Sequence, residues 1–258
     1  MIIDRTTWGR LRVTGGDRVR FLQGLTTVNV EALADGAHGW GAVLNPKGRV
    51  LSVIDIARVG DAFLIACEAA LAEKTRAMFE RYAVMDDVEF EAITGPAHQL
   101  WDEPVSVWRA PIVEGNDPGE GVAIADTDPA AERLRIRGGF LRYGVDVDEE
   151  NFPFETPLTQ FLDYAKGCYV GQEPVFRVHA QGNSAKTLRG LVVEGEAPIA
   201  HGAVISHATK ANAGVITSSV AAGDGTTLAL GYLHRTVWDV GGTVTIDGRS
   251  ATVRELPW

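Results

Sequence analysis

The stretch Lys166-Gly167-Cys168-Tyr169-Val170-Gly171-Gln172-Glu173-Pro174 holds the residue types and spacing closest to a chemical centre. Two glycines bracket a cysteine and an aromatic. Gly171 or Gln172 can cap a following helix, with Pro174 in its first turn. Arg177 falls on the same helix face as Glu173, four residues earlier. A thiolate, rather than a thiol, is the nucleophile and the metal ligand, and nearby cations or a helix N-terminus favour that form. Lys166, Arg177 and the helix start are therefore expected to activate Cys168. The plainer alternative is that Cys168 packs under a glycine-rich connection. Cys67 closes an apolar run and reads as a small buried hydrophobe.

Other chemistries find little support. Cys67 and Cys168 lie 101 positions apart and do not suggest a disulfide framework. There is no Cys-x-x-Cys or His-x-x-x-His pair for a closed zinc site, so no resident metal is expected. Two thiols cannot by themselves hold a four-thiolate cluster. Of the six histidines, only His179 lies near the cysteine motif, where it reads as a polar surface residue. Gly39-Trp40-Gly41 lacks the third glycine of a dinucleotide fingerprint, and no phosphate-loop motif occurs.

The chain has 258 residues with 24 basic and 34 acidic side chains, a formal charge of −10. That balance disfavours direct nucleic-acid binding and anionic membranes, while leaving room for a local basic pocket. A composition 45% hydrophobic and 22% charged is that of a globular protein. No run approaches eighteen apolar residues, and the opening residues lack the layout of a secretory signal. A cytoplasmic protein without membrane partners is expected.

The elements that position the motif can be read from periodicity. Residues 10–14 alternate like a strand and lead through Gly15-Gly16-Asp17 into a helix over Arg18–Leu25, with Val19, Leu22 and Leu25 inward. Residues 40–44 and 49–57 read as strands around the turn Asn45-Pro46-Lys47-Gly48, and Ala62–Cys67 as a third. Leu71, Thr75, Met78, Phe79 and Tyr82 mark an amphipathic helix over 70–82. The stretch 94–131 lacks clear periodicity, and order returns at Glu132–Gly138. Thr156 as N-cap and Pro157 at the first position predict a helix over 157–165 that ends at Gly167 and delivers Lys166 and Cys168. After Lys186, six short β-rich runs (188–193, 203–207, 214–220, 227–233, 243–246, 250–255) suggest a small barrel, with a hairpin at Asp247-Gly248. The reading is an α+β body over 1–185 and a β-barrel over 186–258. Trp101, Trp108, Trp238 and Trp258 are expected in the core or between the domains.

Lys-Gly-Cys-Tyr-x-Gly-Gln-Glu resembles the signature of the YgfZ-type folate-binding proteins, relatives of the glycine-cleavage T-protein (GcvT) that serve iron–sulfur cluster assembly or repair. Arg20-Phe21-Leu22-Gln23-Gly24-Leu25, Leu44-Asn45-Pro46-Lys47-Gly48-Arg49-Val50, Pro153-Phe154-Glu155, Arg177 with His179 and Gly182, and Leu230-Gly231-Tyr232 resemble further blocks in the expected order. The resemblance implies a GcvT/YgfZ-like α+β folate-binding body followed by a C-terminal barrel, and a pocket for tetrahydrofolate or a derivative. It nominates Cys168 as the working residue. It places Lys166, Gly171, Gln172, Glu173, Arg177, Glu155, Asn45 and Lys47 at the folate. Glu155, acceptor-only when ionised, suits a pterin's amino and ring N–H groups, and is alternatively an exposed acid ahead of a helix. Lys47 and Arg49 would meet a glutamate tail, or simply form an exposed turn.

Three departures from the pattern bear on activity. The paired aspartates of the aminomethyltransferases are replaced by Leu51 and Ser52, neither of which is a general base. Thr-Asn-Asp reads Thr27-Val28-Asn29, and the acid of Arg-x-Glu-x-Gly is Arg137. The leading expectation is therefore an accessory factor rather than an enzyme. It would bind reduced folate and support iron–sulfur proteins or assembly factors transiently through Cys168, in a setting linked to tRNA modification. The alternatives are a tetrahydrofolate-dependent one-carbon (aminomethyl-type) transferase, with Glu155 as its only nominated acid, and a folate-independent thiol redox switch.

Overall fold

The computed structural model describes residues 1–104, 106–115, 121–182 and 184–258, so residues 105 and 116–120 of the unplaced 94–131 stretch lie outside the described residues. The chain begins with β1 (Ile2–Asp4), β2 (Gly9–Thr14) and α1 (Arg18–Leu25), followed by β3 (His38–Leu44), β4 (Val50–Val59) and β5 (Ala62–Cys67). Next come α2 (Ala72–Tyr82), β6 (Glu89–Ala92), β7 (Ala97–Leu100), α3 (Ser106–Arg109), β8 (Val113–Glu114) and α4 (Pro129–Gly138). The last helix, α5 (Gln172–Gln181), precedes β9 (Lys186–Glu194), β10 (Val204–His207), β11 (Lys210–Ala221), β12 (Thr226–His234), β13 (Thr243–Ile246) and β14 (Arg249–Arg254).

A five-stranded sheet in the order β3-β4-β5-β2-β6 forms the centre of the body. Helices α1 and α2 supply Phe21, Leu22 and Phe79 to a core beneath Ile54, Ile56 and Ile65. Residues of the same strands, such as Val53 and Ala66, belong to a second core rich in aromatics, around Trp8, Trp40, Trp101, Trp108 and Phe140. Packing on both faces explains why β4 is buried along most of its length instead of alternating. A smaller sheet, β1-β7-β8, completes the body.

From Lys186 onward six antiparallel strands close into a barrel in the order β10-β11-β12-β9-β14-β13. Its interior is packed by Leu191, Ile205, Ile216, Leu233 and Val253. The β13–β14 hairpin turns on Asp247 and Gly248, both at positive φ (50° and 78°), as a two-residue type I′ turn requires.

Asp146, buried in an ion pair within the body, joins barrel to body. Arg135 of α4 donates to Asp146 at 2.6 Å, and Asp146 also accepts the hydroxyls of Thr217 (2.6 Å) and Ser218 (2.7 Å) from β11. Tyr232 of β12 donates to the backbone carbonyl of Asp146 at 2.8 Å. Glu132, one turn before Arg135, takes two more guanidinium bonds at 2.8 and 2.7 Å.

One expected element does not form. The helix predicted over 157–165 is a short 3₁₀ segment, Pro157–Phe161, after which Leu162 is extended (φ −77°, ψ 113°). Thr156 does cap this turn, accepting from the N–H of Leu158 at 3.2 Å. Asp163 then accepts the N–H of Ala165 at 2.7 Å, a local turn that competes with helix continuation. Gly167 is at φ 91° and so needs its glycine, but it stands in a loop and not at a helix end.

Candidate functional site at the cysteine loop

Two sequence blocks, Gln23-Gly24 and Lys166 to Gly171, meet in space. Gln23 lies in the last turn of α1, where backbone carbonyls lack helical partners. Lys166 is buried and points its Nζ at two of them, Gln23 at 2.8 Å and Thr26 at 2.5 Å. The Gln23 side chain returns a bond to the Lys166 carbonyl at 2.7 Å, and the N–H of Val170 donates to Gly24 at 3.0 Å. Asn29 bonds Asp163 at 2.6 Å and is itself held by Gln23 at 3.2 Å. The loop is thereby clasped to the C-terminal end of α1 from both sides of Cys168.

The far side of the loop is fixed by α5. Gly171 caps that helix at φ 80°. A Cβ there would lie 2.4 Å from the carbonyl oxygen of Asn45, so only glycine lets the 45–49 turn approach. Gln172 accepts the N–H of Tyr169 at 3.1 Å, and the Tyr169 ring is buried. Tyr164 stacks on His179 with centroids 3.7 Å apart. Between these anchors Cys168 is exposed, whereas Cys67 is buried.

The electrostatics differ from the expectation. Burial pushes the Lys166 amine down to about 7, against the opposing pull of Asp163 and Glu31. Its hydrogen bonds go to carbonyls, and Arg177 is paired with Glu173 at 2.7 Å in an exposed bridge. Lys166 is thus a structural anchor of the loop, not the activator of the thiol that its spacing suggested. The thiol of Cys67, among Ser52 and Thr75, is pushed up to about 11 by burial.

Asn45 and Glu155, two of the residues nominated for a folate, are each engaged by their own neighbours. Asn45 caps its own turn, accepting the N–H groups of Lys47 (2.9 Å) and Arg49 (3.1 Å). Lys47 is exposed on that turn. Glu155 is buried instead of exposed; its carboxylate accepts the N–H of Phe152 at 3.1 Å, with Asn151 at 3.5 Å and Lys186 at 3.8 Å. Lys166, Gly171 and Gln172 hold the loop, and Glu173 and Arg177 hold each other. Ser52, at the place of a transferase aspartate, is buried and accepts the Thr75 hydroxyl at 2.9 Å.

Sequence reasoning passed over Gln23, Asn29 and Asp163 as partners of the loop, because their contacts span 134 to 143 positions. It also passed over Glu68, a carboxyl pushed up to about 7 by burial, which accepts the N–H of Tyr143 at 2.7 Å.

Residues 1–101 match the GCVT N-terminal domain family. The whole chain has the GcvT-like fold: it superposes on the glycine cleavage system aminomethyltransferase T from Bartonella henselae with a TM-score of 0.81 at 19% identity, over 99% of this chain and 85% of that one. It is 26% identical to a chloroplastic protein of Arabidopsis thaliana provisionally described as a transferase, over 100% of this chain and 71% of the relative. It is 27% identical to the tRNA-modifying protein YgfZ of Hamiltonella defensa, over 71% of this chain and 67% of the relative. It is 28% identical to an iron–sulfur cluster assembly factor IBA57 homolog of Pyricularia oryzae, over 71% of this chain and 55% of the relative. No helix among the described residues is long and apolar enough to cross a membrane.

Proposed function

We propose that this GcvT-like protein is an accessory factor for iron–sulfur proteins, with Cys168 as its working group. The observation that carries the reading is an exposed thiol on a loop clasped by buried side chains of Lys166, Gln23 and Tyr169. An exposed cysteine sulfur can donate a lone pair to an iron of a cluster held by another protein. One exposed thiol, with Cys67 inside the core, does not complete a four-thiolate site, so the cluster is cargo shared with a partner. Similarity to proteins named for cluster assembly and tRNA modification supports the same reading.

The test is replacement of Cys168 by Ala in cells that depend on this protein. The variant is expected to fold and melt as wild type while cluster-enzyme activities fall. Unchanged activities in the Cys168→Ala strain would end the proposal.

The transferase reading has the shared fold in its favour and the site against it. Glu155 is tied to its own turn, and Ser52 and Leu51 offer no base. In calorimetric titrations with 5-formyltetrahydrofolate, Glu155→Gln is expected to leave the heat signal as in wild type. Saturable binding that disappears in Glu155→Gln, accompanied by tetrahydrofolate-dependent turnover of a methylamine donor, would reinstate the transferase.

A further inference from the structure

His38 of β3 stands between two oxygens. Its Nδ1 lies 2.7 Å from Oδ1 of Asp55 on β4, and its Nε2 lies 2.8 Å from the backbone carbonyl of Arg109 at the end of α3. The other carboxylate oxygen of Asp55 faces the N–H of Ile112 at 3.5 Å. Asp55 is buried, and the His38 side chain is only 15% exposed. The pair thereby ties residues 109–112, which lead from α3 to β8, onto the central sheet.

A carbonyl only accepts, so the contact with Arg109 needs a hydrogen on Nε2. Nδ1 must then carry a second hydrogen or receive one from a protonated Asp55. Either way the pair holds one proton more than a neutral imidazole beside an ionised carboxylate. Removing that proton sets a lone pair against an oxygen at one end of the ring. The bond to the carboxylate is charge-assisted and the stronger of the two, so the contact with Arg109 is the one that breaks.

We propose that this shared proton is a pH-sensitive tether: while it is bound His38 holds residues 109–112 on the sheet, and its loss at alkaline pH loosens them. Burial opposes charge on His38, but the bonds to Asp55 and Arg109 leave it above its ordinary value of 6.5; burial raises Asp55. A raised folded value gives stability that is complete below about 6.5 and lost as pH rises through that value. Other charges around the pair are engaged elsewhere. Arg10 of β2 donates to the carbonyls of Gly95 and Pro96 and faces Glu114 of β8 at 3.8 Å, Arg58 of β4 donates to the Leu33 carbonyl at 3.1 Å, and the Arg109 side chain is exposed. Trp108, whose Nε1 donates to the Gly138 carbonyl at 3.0 Å, keeps α3 in the aromatic core, so the loosening is local. The tether is independent of Cys168 and of the iron–sulfur reading.

Imidazole and amide NMR on the full chain tests it. His38 is expected to lose its Nε2 hydrogen in one step between about pH 6 and pH 10, keeping the one on Nδ1. Protection of the Ile112 amide, corrected for exchange in free peptide, should fall about tenfold across that step, as the loss of one hydrogen bond implies. In Asp55→Asn the amide N–H can donate to Nδ1 while Nε2 still donates to Arg109, so the tether closes without the extra proton and protection should not change with pH. His38→Gln, which cannot titrate, should likewise show constant protection. A step absent from wild type, an Nε2 hydrogen retained above it, or an equal fall in protection in Asp55→Asn or His38→Gln would each overturn the assignment.

Discussion

Two buried cations hold this molecule together in different ways. Arg135, between body and barrel, faces carboxylates: Asp146 at 2.6 Å and Glu132 at 2.7 Å. Lys166, under the cysteine loop, faces carbonyl oxygens of α1. The carboxylates raise the Arg135 guanidinium despite its burial, whereas burial dominates at Lys166 and lowers its amine to about 7. The first joint stays charged at any pH a cell meets. The second holds the loop by donated hydrogen bonds and titrates near neutrality. A strong joint ties the barrel to the body; a softer one holds the loop that carries Cys168.

Breaking the first joint is expected to have the largest effect. Asp146→Ala leaves Arg135 charged and under-paired in the core and strands the hydroxyls of Thr217 and Ser218. A loss of about 3–5 kcal/mol is expected from urea unfolding. A loss below about 1 kcal/mol would mean the barrel docks by apolar contact alone.

The second joint is sharpened by pH. Lys166 has a folded value of about 7 and an ordinary value of 10.5, so between those limits the unfolded chain binds a proton that the folded chain does not. Stability attributable to this residue therefore rises with pH from about 7 to 10.5. Lys166→Met removes that rise and leaves two carbonyls unsatisfied, a cost of about 1–3 kcal/mol. The stability difference between wild type and variant should widen from pH 7 to pH 10. A difference that narrows over that range would contradict the assignment.

How much of this was legible follows from the range of each interaction. The strand Ala62–Cys67, the helix Arg18–Leu25 and the six barrel strands rest on local periodicity and turn chemistry, and the sequence carries both. The failed helix over 157–165 shows the limit: Thr156 and Pro157 signal a start, but a local turn at Asp163 ends the segment and Lys166 is buried against α1. The cysteine loop could be singled out because its glycines and cysteine are contiguous. Its real partners, Gln23, Asn29 and Asp163, could not, since nothing local pairs them. Lys166 shows the reverse error. Its position two residues before Cys168 suggested a charge beside the thiol, while burial turned it toward the helix end.

Thiol labelling gives a smaller but clean contrast. Native protein should react at Cys168 within the mixing period of a maleimide assay. Cys67, inside the sheet core, should react at least about a hundredfold more slowly until denaturant is added. Two equivalents labelled at equal rates in native protein would show that β5 opens readily. The smallest effect is expected at the exposed Glu173–Arg177 bridge, where Arg177→Ala should cost no more than about 0.5 kcal/mol of stability.

The most direct test of the central claim places the two cysteines side by side. Cells lacking this protein would be supplied with wild type, Cys67→Ala or Cys168→Ala at matched levels, and the activity of an iron–sulfur enzyme measured. Wild type and Cys67→Ala are expected to restore activity, and Cys168→Ala is expected to fail. Restoration by Cys168→Ala equal to that of wild type would contradict the account.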